Sequence, residues 1–159
     1  MREYEIVLCS DNHGFREPLE YLKKTYPAND YFLHCGDTEM HPYEMEGFAV
    51  VQGNNDYFNA YPKQKIIQIG EHQILMVHGH MDLFLNHYDM LAKKAKGLGC
   101  DIACFGHTHI YHDSVINGVR MLNPGSIWRN RDGSDPSYML IHLNGEKIDV
   151  KRMTYKFQK

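Results

Sequence analysis

Short apolar runs alternate with polar, glycine-containing loops along the whole chain, and the period of those runs predicts a strand-rich α/β protein. Tyr4 to Cys9 reads as a mostly buried strand. Phe15, Leu19, Leu22 and Tyr26 then recur at helical spacing, with Pro18 tolerable only near the start of that helix. Tyr31 to Cys35 and Phe48 to Val51 are the next strands, stopping at Gly36-Asp37 and at Gly53. Lys65 to Ile69 and Gln73 to Val77, joined by Gly70-Glu71-His72, form a hairpin whose second strand feeds His78-Gly79-His80. A second helix carries Tyr88, Leu91, Ala92, Ala95 and Leu98 on its apolar stripe, capped by Asn86 and ended by Gly97 or Gly99. Asp101 to Phe105 is a buried strand. Two hairpins follow: Tyr111 to Ile116 with Val119 to Leu122 across Asn117-Gly118, and Tyr138 to Leu143 with Lys147 to Met153 across Asn144-Gly145. The order indicates an α/β protein with mixed sheets, richer in antiparallel pairs toward the C-terminus.

No repeat, low-complexity tract or linker interrupts this pattern, so residues 1–159 are expected to form one domain. No stretch has signal-peptide character or approaches the roughly 20 apolar residues of a membrane span, which points to a cytoplasmic protein with no membrane partner. The net charge of −3 supplies no broad positive field, so extended nucleic acid is not the expected partner. Cys9, Cys35, Cys100 and Cys104 form no CxxC pair, and Cys9 and Cys104 lie inside apolar runs, as buried reduced thiols do. The unusual count is histidine, at 11.

The histidines gather with carboxylates where apolar runs end: Ser10-Asp11-Asn12-His13-Gly14, Gly36-Asp37, Gly53-Asn54-Asn55-Asp56, His78-Gly79-His80 and Gly106-His107-Thr108-His109. Loops outside the carboxyl ends of strands in an open α/β sheet converge on one crevice, where side chains distant in sequence meet. An i, i+2 pair in extended backbone points both side chains to one side, so Asp11 with His13, and His107 with His109, are each expected to act as a pincer. Imidazole nitrogen mixed with carboxylate and amide oxygen, without thiolate, suits Mn²⁺, Fe, Zn²⁺, Co²⁺ or Ni²⁺ better than Ca²⁺ or a sulfur cluster. Seven candidate ligands, Asp11, His13, Asp37, Asn54, His78, His107 and His109, exceed the needs of one tetrahedral ion, whereas two ions roughly 3.5–4 Å apart would use them economically.

In order and spacing these motifs (D-x-H, GD, GN-x-D, H and GH-x-H, with Asn123-Pro124-Gly125-Ser126 beyond them) resemble those of the calcineurin-like metallophosphoesterases. The chain looks most like their short prokaryotic phosphodiesterase branch, which is similar in fold to the phosphoesterase-like subunit of the retromer coat. The resemblance implies a four-layer αββα sandwich of two mixed β-sheets flanked by helices, with the site at the loop edge. It also implies that Asp11, His13 and His109 hold one divalent metal, that Asn54, His78 and His107 hold the other, and that Asp37 bridges them. Manganese is the leading expectation, with Ni, Fe, Zn or Co as alternatives.

The expected activity is hydrolysis of a small phosphate ester, most simply a diester, by in-line attack of a metal-bridging hydroxide. Many relatives place a catalytic histidine where this chain has Asn55, and an asparagine cannot act as a general acid, so leaving-group protonation falls to His80 or water. The catalytic set is thus Asp37, Asn54, Asn55 and His80. Gly125 and Ser126 are candidate backbone donors to the substrate phosphate, with Arg129 or Arg131 adding charge-assisted contacts. Asp56 is expected to orient His13 or Asn54. Tyr57, Phe58, Tyr61, Phe84 and Trp128 are aromatic positions that line a cleft or pack in the core, and the exposed ones suit a homodimer. His34, His41, His72, His87, His112 and His142 are expected to be structural or solvated. The alternative function is a non-catalytic or weakly catalytic metal-binding interaction module of the same fold.

Overall fold

The computed structural model describes residues 2–83 and 87–157. The expected cap at Asn86 and the cleft role of Phe84 lie outside the described residues. The elements are β1 (Glu3–Cys9), α1 (Glu17–Thr25), β2 (Tyr31–His34), β3 (Phe48–Val50), β4 (Gln64–Ile69), β5 (His72–Val77), α2 (Asp89–Gly97), β6 (Ile102–Cys104), β7 (His112–Ile116), β8 (Val119–Asn123), β9 (Ser137–Asn144) and β10 (Lys147–Thr154). A 3-10 turn over Pro42–Met45, which the hydrophobic pattern did not signal, precedes β3.

The strands form two five-stranded mixed sheets, ordered β10-β9-β1-β2-β3 and β4-β5-β6-β8-β7. In each, a parallel trio (β1, β2, β3 and β5, β6, β8) is extended by antiparallel partners, as the late hairpins predicted. Because successive strand residues face opposite ways, each central strand feeds two cores. Ile6 and Leu8 of β1, Ile74 and Met76 of β5, and Ile102 and Cys104 of β6 fill the space between the sheets. The alternate residues Val7 and Cys9 pack with Leu19 and Leu22 of α1. Leu75, Val77 and Ala103 pack with Leu91, Ala92 and Ala95 of α2. Three apolar layers between helix, sheet, sheet and helix make the αββα sandwich. Truncating a central side chain such as Leu33, fully buried between the sheets, would cost about 2–5 kcal/mol.

Pro18 sits in the first turn of α1, where its missing N–H costs nothing, and Glu17 and Glu20 oppose Lys23 and Lys24 along the helix dipole. Phe15 lies before this helix and is 45% exposed rather than part of its stripe. Leu98 likewise follows α2 and is partly exposed, leaving Leu91, Ala92 and Ala95 as the buried stripe. Two hairpin turns close one residue away from their expected places. Ile69 pairs with His72 around Gly70-Glu71, and Asn144 pairs with Lys147 around Gly145-Glu146, with Gly70 and Gly145 at positive φ. Asn117 and Gly118 both adopt positive φ, as their two-residue turn requires. All four cysteines are free and buried.

Candidate metal centre

The parallel trios of both sheets run so that the loops after β1, β2, β3, β5 and β6 meet at one edge of the sandwich. Backbone bonds lock the first two loops together, from Asp11 N–H to Gly36 C=O and from His13 N–H to Asp37 C=O, both 3.0 Å. Glycine permits the close approach: a Cβ on Gly106 would stand 2.2 Å from Ser10 Oγ, and one on Gly53 2.2 Å from Asp37 Oδ1.

The pincers form, but not in extended backbone. Asp11, His13, Asp37, His107 and His109 all have φ between 46° and 69°, the left-handed region. Each such residue costs roughly 1–2 kcal/mol against the usual backbone, so the loops curl their side chains inward at the expense of local strain. Each expected pair does meet, though not through a strand pleat. Alternating left-handed residues in a curled loop, not a strand pleat, bring them together.

All seven predicted ligands converge. One group comprises Asp11, His13 and His109, and another Asp11, Asp37 and His78, each with candidate ligand atoms within 4.8 Å of one another. Asn54 Oδ1 lies 2.9 Å from His78 Nε2 and 3.1 Å from His107 Nδ1, which joins Asn54 and His107 to the second group. Asp37 Oδ2 stands between the groups, 3.2 Å from His78 Nε2 and 3.8 Å from His13 Nε2. Asp11 Oδ1 faces both as well, 3.3 Å from His109 Nε2 and 3.9 Å from His78 Nε2.

Outer contacts fix which nitrogen faces inward. His13 Nδ1–H donates to Glu39 Oε1 (2.6 Å), His78 Nδ1–H to Cys35 C=O (2.7 Å) and His109 Nδ1–H to Arg129 C=O (2.8 Å). Each ring thus turns an Nε2 lone pair into the centre, the arrangement that orients histidine ligands. Lone pair then meets lone pair: the Nε2 atoms of His13 and His109 are 3.1 Å apart. Asp11 Oδ1, fully buried, has no hydrogen-bond partner among the described residues. Inward-facing acceptors that meet one another, with Asp11 Oδ1 left without a donor, call for cations, and divalent metal ions fit this nitrogen and oxygen set.

The electrostatics agree. Burial alone would push the Asp11 carboxyl up, but the imidazoles of His109, His13 and His78 outweigh it and hold it far below the usual carboxylate range. Burial also opposes a charged His13 ring, yet Asp11 and Glu39 push it up to about 9, so a proton is drawn to the same position. Asp37 is lowered: burial works against it, and His78 and the Asn55 backbone N–H prevail. His80 and His107 are both lowered, first by burial and then by the facing His78.

The surroundings revise several expected roles. Among the described residues the Asp56 carboxylate makes no hydrogen bond to His13 or Asn54. Its carboxylate accepts from the N–H groups of Asp37, Glu39 and Gly53 and from Thr38 Oγ1, tying the second loop to the third. Asn55 clamps Asp37, donating from its backbone N–H to Oδ1 (2.9 Å) and from Nδ2 to Oδ2 (3.0 Å). The Gly125 and Ser126 N–H groups are already spent on Asn123 Oδ1 and Asn130 Oδ1, and Ser126 is fully buried with its Oγ donating to Asp11 C=O. These two residues brace the first loop rather than offering free amides to a phosphate. His80 is exposed, its ring centroid 5.4 Å from that of His78. Arg129 is exposed and lines a cavity of about 730 Å³ beside His109 and Trp128. Trp128 packs against His13 at 5.0 Å between centroids and stacks on Phe15 at 5.8 Å.

Glu39 was not singled out by the sequence reasoning; its nearness to the GD pair was the available signal. His34, expected to be structural or solvated, is buried, with Nε2–H donating to Asn12 Oδ1 and Nδ1 accepting from Gly36 N–H.

A two-sheet sandwich with a histidine–carboxylate centre at its loop edge defines a metallophosphoesterase-type protein. Residues 4–146 match the calcineurin-like phosphoesterase superfamily domain, and the chain belongs to that family. It is 36% identical over 154 residues to the probable metallophosphoesterase YsnB of Bacillus subtilis (strain 168), covering 92% of this chain and 88% of that protein. Among solved structures, a predicted phosphoesterase from Streptococcus pneumoniae TIGR4 superposes with a TM-score of 0.90 at 28% identity, over 97% of this chain and 91% of that one. Vacuolar protein sorting 29 from Cryptosporidium parvum shares the fold with a TM-score of 0.77 at 22% identity, over 96% and 99% of the two chains. No described helix is long and apolar enough to cross a membrane.

Proposed function

We propose that this metallophosphoesterase is a two-metal phosphodiesterase that hydrolyses a small phosphate ester. The observation that carries the reading is the inward-facing set of acceptors, with Asp11 Oδ1 orphaned and two Nε2 atoms 3.1 Å apart. Asp11, His13 and His109 would hold one ion, Asn54, His78 and His107 the other, and Asp37 would be shared. Manganese suits this nitrogen and oxygen set. When bound, two such ions supply charge neutralisation at the phosphoryl oxygens and a water acidified enough to act as a nucleophile near neutral pH.

The chain's own residues do the rest. Asn55 and Asp56 hold Asp37 and its loop in position, and the Nδ1–H contacts of His13, His78 and His109 keep their lone pairs inward. With Asn55 engaged on Asp37, no general acid stands at that position, and exposed His80 or water is left to protonate the leaving group. Good leaving groups are therefore favoured. Nitrophenyl diesters should react at least about a hundredfold faster than alkyl diesters, the low end of what acid catalysis contributes; equal rates would overturn the leaving-group argument.

The deciding assay uses protein reconstituted with Mn²⁺ or Ni²⁺ against bis-nitrophenyl phosphate and nitrophenyl phosphate, beside Asp37→Asn and His78→Ala. Faster diester turnover, abolished in both variants, is expected. Unchanged activity in both would reject the site. No turnover with any metal would favour the second reading, a non-catalytic interaction module, which draws support from the Vps29-like fold and from exposed Tyr43, Tyr57 and Phe58. The same aromatics support a homodimer, which light scattering would detect, and four free buried cysteines accord with a reducing compartment such as the cytoplasm.

A further inference from the structure

The chain has six arginines, and they fall into two sets. Arg2, Arg16 and Arg120 each form an ion pair, with Asp30, Glu44 and Asp113. Arg129, Arg131 and Arg152 have no carboxylate within ion-pair distance among the described residues, and all three gather at the cavity of about 730 Å³ next to the candidate centre. Arg129 and Arg131 line it. Arg152 reaches its rim, where Nη2 donates to Ser134 Oγ (3.0 Å) and Asp132 lies within electrostatic reach. The cavity begins at His109 and continues past Trp128 to Ser134 and Pro136, more room than one phosphoryl group fills. Among the described residues no acidic side chain lines it. Arg152 is partly engaged by stacking on Tyr111 (4.4 Å) and Arg131 by a long bond to the His107 carbonyl (3.4 Å), yet no carboxylate neutralises any of the three, and in a chain of net charge −3 such guanidinium groups beside a cavity suit an anion.

The connection to the centre is short and made by hydrogen bonds to the backbone. His109 is followed closely in space by the Arg129 carbonyl that orients it, and Arg131 N–H donates to the His109 carbonyl (2.9 Å). An anion held by Arg129 and Arg131 would therefore sit beyond the His13–His109 side of the centre, not at the phosphoryl group undergoing attack.

We propose that this cavity binds a second anionic group carried by the substrate, so that the natural substrate is an ester of phosphate with a further phosphate or carboxylate on one arm. The inference rests on the phosphoesterase reading and narrows its substrate class. Arg129 and Arg131 become specificity residues, and the diester's uncharged arm faces the Asn54–His80 side.

The test is calorimetric binding to Mn²⁺-loaded protein of thymidine 5′-phosphate and thymidine 3′,5′-bisphosphate, which differ only in the second anion. The wild-type protein should bind the bisphosphate at least about tenfold more tightly, the scale of one good charge-assisted contact. Arg129→Ala with Arg131→Ala should reduce that preference to under about twofold. Equal affinity for the two ligands in the wild type, which needs no variant to fold, would overturn the proposal. So would a preference that survives the double substitution. A third arm adds inorganic phosphate to protein saturated with thymidine 5′-phosphate: binding there, abolished by the double substitution and without any bisphosphate preference, would mean a free regulatory anion and also overturn it. The parent reading is scored separately, by wild-type turnover of bis-nitrophenyl phosphate, which has no second charged group. The binding arms decide the matter whether or not that turnover is seen.

Discussion

The two halves of the centre use the same kinds of donor but stand on different supports. On one side, His13 and His109 are backed by the Glu39 carboxylate and the Arg129 carbonyl and walled by Trp128 and Phe15. On the other, His78 is backed by the Cys35 carbonyl, while Asn54 and His80 open to solvent. Each half draws on loops of both sheets, so each would clamp the sandwich when an ion is bound. A carboxylate behind an imidazole raises its basicity more than a carbonyl does. Equal first contacts with unequal backing predict unequal affinity, with the tighter ion on the His13 side.

Asp37 faces both halves, and its loss should give the largest effect. Asp37→Asn is expected to lower kcat/KM for a nitrophenyl diester by about a thousandfold or more, beyond the range of outer contacts. A loss of tenfold or less would show that the halves do not depend on it.

The next effect belongs to acid stability beneath the first loop. Burial drives the His34 imidazole down to about 4, despite the raising influence of Asp11 and Asp56. The unfolded chain takes up a proton near its ordinary value of about 6.5, so this contribution is intact above that pH. It is lost as pH falls from about 6.5 toward 4, up to about 3 kcal/mol. Urea melts of metal-free protein at pH 7 and pH 4.5 should show the loss, and His34→Gln should flatten it. A pH-independent stability in that window would refute the buried neutral ring.

Glu39→Gln separates the halves directly. It should weaken the ion at His13 and His109 about 10–100-fold and leave the other site nearly untouched, as read by competitive chelator titration. Equal weakening of both sites would erase the asymmetry. The mildest readout is counting. His109→Ala and His78→Ala should each reduce bound metal from two ions to one by elemental analysis, with the remaining ion raising the unfolding free energy by about 2.7 kcal/mol at a hundredfold excess over its Kd.

Much of this was legible in the sequence. Ten strands and two helices follow from apolar period, the strand-end clusters pick out the converging histidines and aspartates by chemical type, and Asn54 follows mainly from the family resemblance. The errors fell where backbone conformation or long-range contact decided. Extended geometry was expected at Asp11, His13, His107 and His109, and the loops are left-handed there. Asp56 was expected to steer a ligand ring, and it holds three backbone amides and a threonine hydroxyl instead. Gly125 and Ser126 read as free donors, and Asn123 of the same motif and Asn130 four residues on from Ser126 consume them.

The sequence by itself determined the chemistry of the centre and the alternation that builds two sheets, since residue type and period are local properties. Only the tertiary structure decided the support: that Glu39 backs His13, that Cys35 and Arg129 offer carbonyls to His78 and His109, and that Arg129 and Arg131 line one cavity beside His109. Those contacts join residues separated by tens of positions, and their distances are set by how the sheets and loops pack, which no local pattern encodes.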